Sequence, residues 1–408
     1  VARTSAVRPE EIRRHNLGLL LGEIHRHGEL TRAELTSVLG LNRSTIGGLV
    51  TDLVNLGMVT EYVPAGRDRA GRPSYVVAPR SDGPYVLAVE VDVERIVSAA
   101  VGLGGTVHAR RETPIDGPGR APEAVARQIV RDATWLAGRL PTSARLIGVG
   151  VSVPGTVSRQ DGFIEHAPNL DWRGVPLASL LSDRLGGQLE IRVGNDADLG
   201  ALAEHLRGAA VGLDNVVFIN GSVGVGGGII ADGSQLRGVG GYAGEIGHIM
   251  LNPDGPPCHC GSTGCIETYI GEHALLRAAG IDRHGPAEVA GVFASAHAGD
   301  PRAVEAVRTV AVWLGRTLAT LVNVFNPQAI IVGGSLAEVL RLERQTIETE
   351  IDHRAMSASR CIVQVLPPGL GPESSLIGAS ELAFQTLLAA PDSPVIVVDT
   401  VTASPVAN

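Results

Sequence analysis

The sequence predicts an α/β protein in which a winged helix-turn-helix precedes a larger domain of alternating strands and helices. Three observations carry that prediction. Apolar residues recur at helical spacing up to Leu56, with a glycine closing each run. Two short β-type runs then flank an arginine-rich stretch. From residue 84 onward, strand-like and helical runs alternate almost to the end of the chain, the pattern of an α/β fold.

Leu17, Leu20, Leu21 and Ile24 share one face of a helix expected from Glu10 to His27, where His27-Gly28 supplies the stop. Thr31 stands three residues before Glu34, a capping-box spacing that starts a second helix through Leu35, Val38 and Leu39 to Gly40. Asn42 or Arg43 opens a third, whose apolar face is Ile46, Leu49, Val50, Leu53 and Leu56 and whose end is Gly57. Gly47-Gly48 is unexpected inside it, since each glycine costs up to about 1 kcal/mol relative to alanine. Helix, glycine turn, helix is the layout of a DNA reader, and the exposed start of the second of these helices enters the major groove. Asn42, Arg43, Ser44 and Thr45 are therefore the candidates for base and phosphate contacts. The strands around Met58 to Val63 and Tyr75 to Val77 form a wing, with Arg67, Arg69 and Arg72 at its tip for phosphates or the minor groove. The competing reading is a small helical dimerisation domain with solvated arginines.

Charge is divided unevenly. The net charge is −9, but residues 1–80 carry +3 and the remainder −12. Every basic charge is arginine, the residue that pairs bidentately with phosphate and guanine edges. A chain of 408 residues is too long for one ordinary core. The expected division is a DNA-binding domain at 1–80, an effector domain at 81–390, and a tail at 391–408 in which no chemistry is legible. Apolar runs are broken well before the ~20 residues of a membrane span. With no signal-peptide pattern at the start, a cytoplasmic protein is expected.

In the large domain, residues 84–104 read as a hairpin meeting Gly104-Gly105. Further strands are expected at 145–153, 188–193, 214–220, 226–231, 328–332 and 361–366, with helices at 121–138, 196–207 and 303–323. Three of the four cysteines fall within eight residues, which suggests metal ligation rather than a disulfide framework. Cys361 stands apart and reads as a core residue.

Several stretches resemble the ROK family of repressors, open-reading-frame products and kinases. They are Val153-Pro154-Gly155-Thr156-Val157, Ala167-Pro168-Asn169-Leu170, Asn195-Asp196, the glycines from 224 to 228, Ala243 through His248, and Cys258 through Glu267. The resemblance covers nearly all of residues 9–390 and implies a two-lobed, actin-like sugar-kinase fold. It also implies a sugar pocket made by Asn169, Asn195, Asp196, Glu245, His248 and Glu267, amides and carboxylates suited to hydroxyl groups. Asp196 matches the kinases' general base. His248, Cys258, Cys260 and Cys265 match a closed structural zinc site, with His259 facing solvent. A kinase of this family has an acidic residue, two glycines, threonine and lysine where this chain has Glu90-Val91-Asp92-Val93-Glu94-Arg95. Side chains replace the glycines, and Asp92 and Glu94 would meet a polyanion. Gly194, where the kinases have glutamate, points the same way, while the glycine-rich turn at 224–228 and the Val332-Gly333-Gly334 turn resemble the remaining nucleotide motifs but also have ordinary roles as tight turns.

The resemblance thus implies a non-enzymatic regulator of the repressor branch. Its partners would be operator DNA and a sugar effector such as xylose, glucose, N-acetylglucosamine or a sugar phosphate. A homodimer or homotetramer is expected. The alternatives are an ATP-dependent sugar kinase with a DNA-binding appendage, and a partner-binding module that has lost sugar recognition.

Overall fold

A computed structural model of the protein describes residues 8–64, 75–283 and 285–393. Helix α1 (Pro9–His27) has proline in its first turn together with Glu10 and Glu11, which suit the positive end of the helix dipole. A two-residue strand β1 (Leu30–Thr31) leads into α2 (Arg32–Leu39). There the expected capping box forms: the Thr31 hydroxyl accepts the Glu34 amide at 3.2 Å, and the Glu34 carboxylate accepts the Thr31 amide at 2.7 Å. Helix α3 (Arg43–Asn55) follows, and β2 (Val59–Tyr62) and β3 (Val76–Pro79) pair antiparallel as the two sides of a wing. Arg67, Arg69 and Arg72 lie outside the described residues. Val38 and Leu56 do not join the core as their spacing suggested; both are exposed, because α2 is so short that only Leu35 is buried on it and Leu56 lies past the end of α3. Gly47 has a reason: a side chain there would press on the Arg32 guanidinium, which reaches Glu61 on β2 at 2.6 Å.

Two lobes follow, each built on a five-stranded mixed sheet. The first contains β4 (Pro84–Val91), β5 (Arg95–Gly102), β6 (Val107–Pro114), helix α4 (Pro122–Ala137) and β7 (Arg145–Val153). A small antiparallel sheet comes next, from β8 (Thr156–Val157), β9 (Ile164–Ala167) and β10 (Trp172–Val175). Helix α5 (Leu177–Arg184) and β11 (Glu190–Asn195) complete the lobe, and α6 (Asp196–Arg207) crosses to the second. There lie β12 (Val216–Gly221), β13 (Val225–Ala231), β14 (Ser234–Gln235), helices α7 (Glu267–Ile270), α8 (Glu272–Ala278), α9 (Pro286–His297) and α10 (Pro301–Phe325). The chain then forms β15 (Ala329–Gly334), α11 (Ser335–Arg354), α12 (Ser357–Arg360), β16 (Gln364–Leu366) and finally α13 (Ser374–Ala389). The strand orders are β11-β7-β4-β5-β6 and β14-β13-β12-β15-β16. In both, the first three strands of the lobe run as an antiparallel meander and the fourth and fifth add in parallel beside the first, so the two lobes repeat one topology. Cys361 is exposed rather than in the core, because the chain there is still leaving α12 and β16 starts only at Gln364.

The last helix returns to the front of the molecule. Helix α13 lies against α6, β7 and α1, and Leu376 and Phe384 on it share one apolar core with Leu17, Leu20 and Ile24 of the helix-turn-helix module. The fit is close: a Cβ on Gly378 would stand 2.0 Å from the Leu199 carbonyl, and one on Gly18 2.5 Å from that of Leu388. Within this contact sits a buried polar triad. His25 on α1 meets Glu381 on α13 at 3.0 Å, and Arg207, the last residue of α6, pairs with Glu381 and donates to the His25 carbonyl at 3.0 Å. The Gly104 amide donates to His25 Nδ1, which leaves the Nε2 hydrogen directed at Glu381. Burial alone would raise the Glu381 pKa, but His25 and Arg207 outweigh it and hold the carboxyl below its ordinary range.

Candidate functional site

Strand β11 ends at Asn195 just as α6 begins, so the start of the helix opens into the space between the lobes. Asn195 is the cap: its side-chain oxygen accepts the amides of Ala197 and Asp198 at 2.9 and 3.0 Å, and its amide donates to the Gly155 carbonyl at 2.9 Å. With the cap supplied by Asn195, the Asp196 carboxylate is left for the cleft. Burial pushes its pKa up to about 6, opposed by the Ala197 amide and reinforced by Asp92 and Glu245.

Asn169, Asn195, Asp196, Glu245, His248 and Glu267 all line one cavity of about 650 Å³. They arrive from both lobes. Asn169 sits in a helical turn after β9, Glu245 precedes another that His248 ends, in the segment between β14 and α7, and Glu267 opens α7. The Glu267 carboxylate accepts the Val225 amide at 3.0 Å, which fixes it against the strand opposite. Glu245 is raised by burial, which His248 opposes and Glu267 reinforces. His166, His273 and Arg277 also line the cavity. None belongs to a stretch that stood out in the sequence, although His166 lies just ahead of Ala167-Pro168-Asn169.

Of the two readings of the glycines at 224–228, strand from residue 226 and tight turn, the strand holds: Val225–Ala231 is β13, Gly333 and Gly334 likewise pair as the end of β15, and a Cβ on Gly226 or Gly228 would come within 2.7 Å of Ala197 or Ala201. These glycines let α6 lie close against β13.

At the mouth between β4 and β5, Glu90 has its pKa pushed up to about 8 by burial and by Asp92, Asp196 and Glu373, with Arg95 opposing. Asp92 and Glu94 likewise add to the upward shift that burial imposes on Glu272. This region of the cleft is therefore strongly acidic.

Against the same cavity stand His248, Cys258, Cys260 and Cys265, whose donor atoms all lie within 4.8 Å of one another. The Cys258 sulfur is 3.6 Å from His248 Nδ1, and the sulfurs of Cys260 and Cys265 are 3.7 Å apart, far beyond a disulfide bond. Three thiols and one imidazole so placed can hold a metal ion. His259 is exposed and outside this set.

On the front module, Asn42, Arg43 and Ser44 are exposed at the start of α3 and Thr45 is half-buried. The Asn42 side-chain oxygen caps the helix at the Thr45 amide, 2.9 Å away, and accepts the Ser44 hydroxyl at 2.6 Å. Arg43 has no ion-pair partner among the described residues, so its guanidinium stands free at the positive end of a helix, an arrangement suited to phosphate.

Comparison with known proteins accords with this geometry. The model of the ROK family matches residues 86–386. The chain belongs to the ROK family. Ahead of that domain, a model of the MarR family matches residues 18–70, from within α1 through α2, α3 and β2. The chain is 29% identical to the xylose repressor of Bacillus subtilis over 378 residues, which is 92% of this chain and 97% of that protein. Its fold matches the crystal structure of a ROK family transcriptional regulator described as a homologue of the Escherichia coli MLC protein. That match has a TM-score of 0.77, 24% identity, and covers 93% of this chain and 97% of the other. A ROK family glucokinase from Streptomyces griseus, solved with glucose and AMPPNP, matches with a TM-score of 0.62 and 31% identity, covering 74% of this chain and 99% of the other. The kinase likeness leaves out the front module, whereas the repressor likenesses span it. No helix among the described residues is long and apolar enough to cross a membrane.

Proposed function

We propose that this ROK protein is a sugar-responsive transcriptional repressor whose operator affinity falls when a sugar fills the interlobe cleft. One observation carries the reading: α6 starts at the polar cavity with Asn195 and Asp196 and ends at Arg207, which grips the helix-turn-helix module through His25. A twelve-residue helix spans about 18 Å, so movement at the cleft reaches the DNA reader along one rigid element.

In this reading Asp196, Glu245, Glu267 and Asn169 bind sugar hydroxyls, with the carboxylates accepting charge-assisted hydrogen bonds. Asn195 contributes its remaining amide hydrogen and holds the helix start. His248 ligates zinc through one ring nitrogen and turns the other to the sugar. The donor set fits zinc: with Zn–S near 2.3 Å and Zn–N near 2.0–2.1 Å, tetrahedral ligands stand about 3.7 Å (S to S) and about 3.6 Å (S to N) apart. Two of the six separations, Cys260 to Cys265 and Cys258 to His248, are 3.7 and 3.6 Å, and all six fall within 4.8 Å. The ion would brace the segment between His248 and Glu267 and do no chemistry on the ligand. Because burial pushes the Cys258 thiol up to about 12, loading the site must release a proton there.

Asn42, Arg43, Ser44 and Thr45 supply the base and phosphate contacts at the major groove, with Arg43 on phosphate, and a homodimer sets two modules on a two-fold operator. The alternative of a sugar kinase is favoured by Asp196, which keeps the general-base position in the cleft. Against it stand Asp92 and Glu94, whose charges would repel the phosphates of ATP as they already oppose ionisation of Glu272 and, for Asp92, of Glu90.

The test is fluorescence anisotropy of the zinc-loaded protein on DNA from upstream of its own gene, titrated with xylose, glucose and N-acetylglucosamine. One sugar should release the DNA, and the operator should weaken that sugar's binding by the same factor. Equal sugar affinity with and without operator would refute the coupling. ATP-dependent sugar phosphorylation abolished by Asp196→Asn would establish the kinase instead.

A further inference from the structure

A second cavity, of about 400 Å³, shares only Asn195 with the first. It too is walled by both lobes. The turn after β8 brings Arg159, the first half of β11 brings Arg192, and the segment after β14 brings Arg237. The lobes meet here: a Cβ on Gly241 would lie 2.9 Å from that of Arg159.

Three guanidinium groups in one cavity repel each other unless something answers their charge. Arg192 is answered. It reaches Glu190 at 2.7 Å, Gln385 at 3.0 Å and Thr386 at 2.8 Å. Arg159 and Arg237 are not, since neither forms an ion pair with any described residue, and Arg237 bonds only the side-chain oxygen of Gln235. The Arg237 pKa is depressed by burial and then by Arg159, opposed by Asp198 and reinforced by Arg192. Of the acidic residues of the cavity, Glu190 is taken by Arg192, and Asp161, which the Ser158 hydroxyl at 2.7 Å and the Phe163 amide at 3.2 Å hold below its ordinary range and so ionised, forms no ion pair with any described residue. Asp198 is pushed up to about 7 by burial and by Glu245, so near neutral pH it is partly protonated and able to donate a hydrogen bond.

We propose that this cavity is a second ligand site, taking a small dianion of the phosphate-monoester or dicarboxylate class between Arg159 of one lobe and Arg237 of the other. Guanidinium groups suit both ligands because their paired donors match the geometry of carboxylate and phosphate oxygens. An anion held from both sides fixes the angle between the lobes. Leu382 and Gln385 of α13 line the same space, so the ligand would also bear on the helix that seats the helix-turn-helix module. The site does not depend on which sugar, if any, fills the front cleft.

Calorimetry of the full-length, zinc-loaded protein with inorganic phosphate, glucose 6-phosphate and succinate tests it. At least one probe should bind with a Kd of a few mM or tighter, and Arg237→Gln and Arg159→Gln should each weaken that binding by about tenfold, a loss of about 1.4 kcal/mol. Asp196→Asn, in the front cleft, should not. Tighter binding of glucose 6-phosphate than of phosphate identifies an organic phosphate ligand, and preference for succinate identifies a dicarboxylate; both sustain the site. Because Arg159 is exposed on a turn, its substitution reads binding without a folding defect. Silence from all three probes at ~10 mM, or binding that survives both arginine substitutions and fails with Asp196→Asn, overturns the proposal.

Discussion

Replacing Arg207 with alanine should loosen the helix-turn-helix module from the body of the protein. The side chains of His25, Glu381 and Arg207 are 3%, 2% and 12% exposed, so the charges they share are largely cut off from water. Arg207 also donates to the Gly104 carbonyl at 3.1 Å and to that of His25 at 3.0 Å, tying the end of α6 to α1 and to the turn after β5. Breaking a buried pair by removing one partner costs about 3–5 kcal/mol, because the remaining charge stays desolvated. Arg207 is the most exposed of the three, which places the expected loss near the lower end, about 3 kcal/mol. Urea denaturation of the full chain measures it. The paired variant Arg207→Met with Glu381→Gln removes both charges while keeping an acceptor for the His25 ring hydrogen. It should recover at least about 1 kcal/mol of what the single variant loses. The single variant should also show a smaller effect of sugar on DNA affinity. A loss below about 1 kcal/mol, or a paired variant no better than the single, would refute the reasoning.

Cys260→Ser should lose zinc by elemental analysis and weaken sugar binding, since the segment carrying His248 and Glu267 then has no brace; unchanged sugar affinity in a metal-free protein would contradict that role. Arg43→Ala should weaken binding to operator and non-operator DNA alike and reduce the salt slope by about one, as loss of a phosphate contact does. A change confined to one base position would make Arg43 a base reader instead. Glu90 binds its proton more tightly in the folded state, so its contribution to stability is present below the ordinary glutamate range near pH 4.5 and declines as pH rises toward about 8. Glu90→Gln should accordingly be more stable than the parent at pH 8, by on the order of 2 kcal/mol, with a smaller difference at pH 5.5. Glu381 acts in the opposite sense: its lowered pKa gives stability that is lost as pH falls below the ordinary glutamate range, a loss that Glu381→Gln should flatten in acid denaturation.

Much of this protein was legible from local pattern. The capping box at Thr31 and Glu34, the cap at Asn42 and the helix from residue 196 to 207 depend on neighbours three or four positions apart, and the chain encodes such relations directly. The ordered motifs likewise brought together the six cleft residues and the four metal donors, which the structure collects around one cavity. Other features depended on contacts between distant parts of the chain. Residues 25, 207 and 381 have no shared motif, and only the packing of α13 against α1 and α6 makes them a buried triad. The glycines of β13 read both as strand and as turn, because composition alone does not tell a flexible backbone from one that must admit a helix. Cys361 read as buried because hydrophobicity does not say on which side of a helix end a residue emerges. Arg159 and Arg237 are unremarkable surface arginines in the sequence, and they become a pair only where the two lobes meet. The sequence by itself determined the helices and strands, whose causes are local, and its resemblance to the ROK family pointed to the residues that line the cleft. The tertiary structure decided how the reader is fastened to the cleft, because a buried charge network exists only when separate elements exclude water from it together.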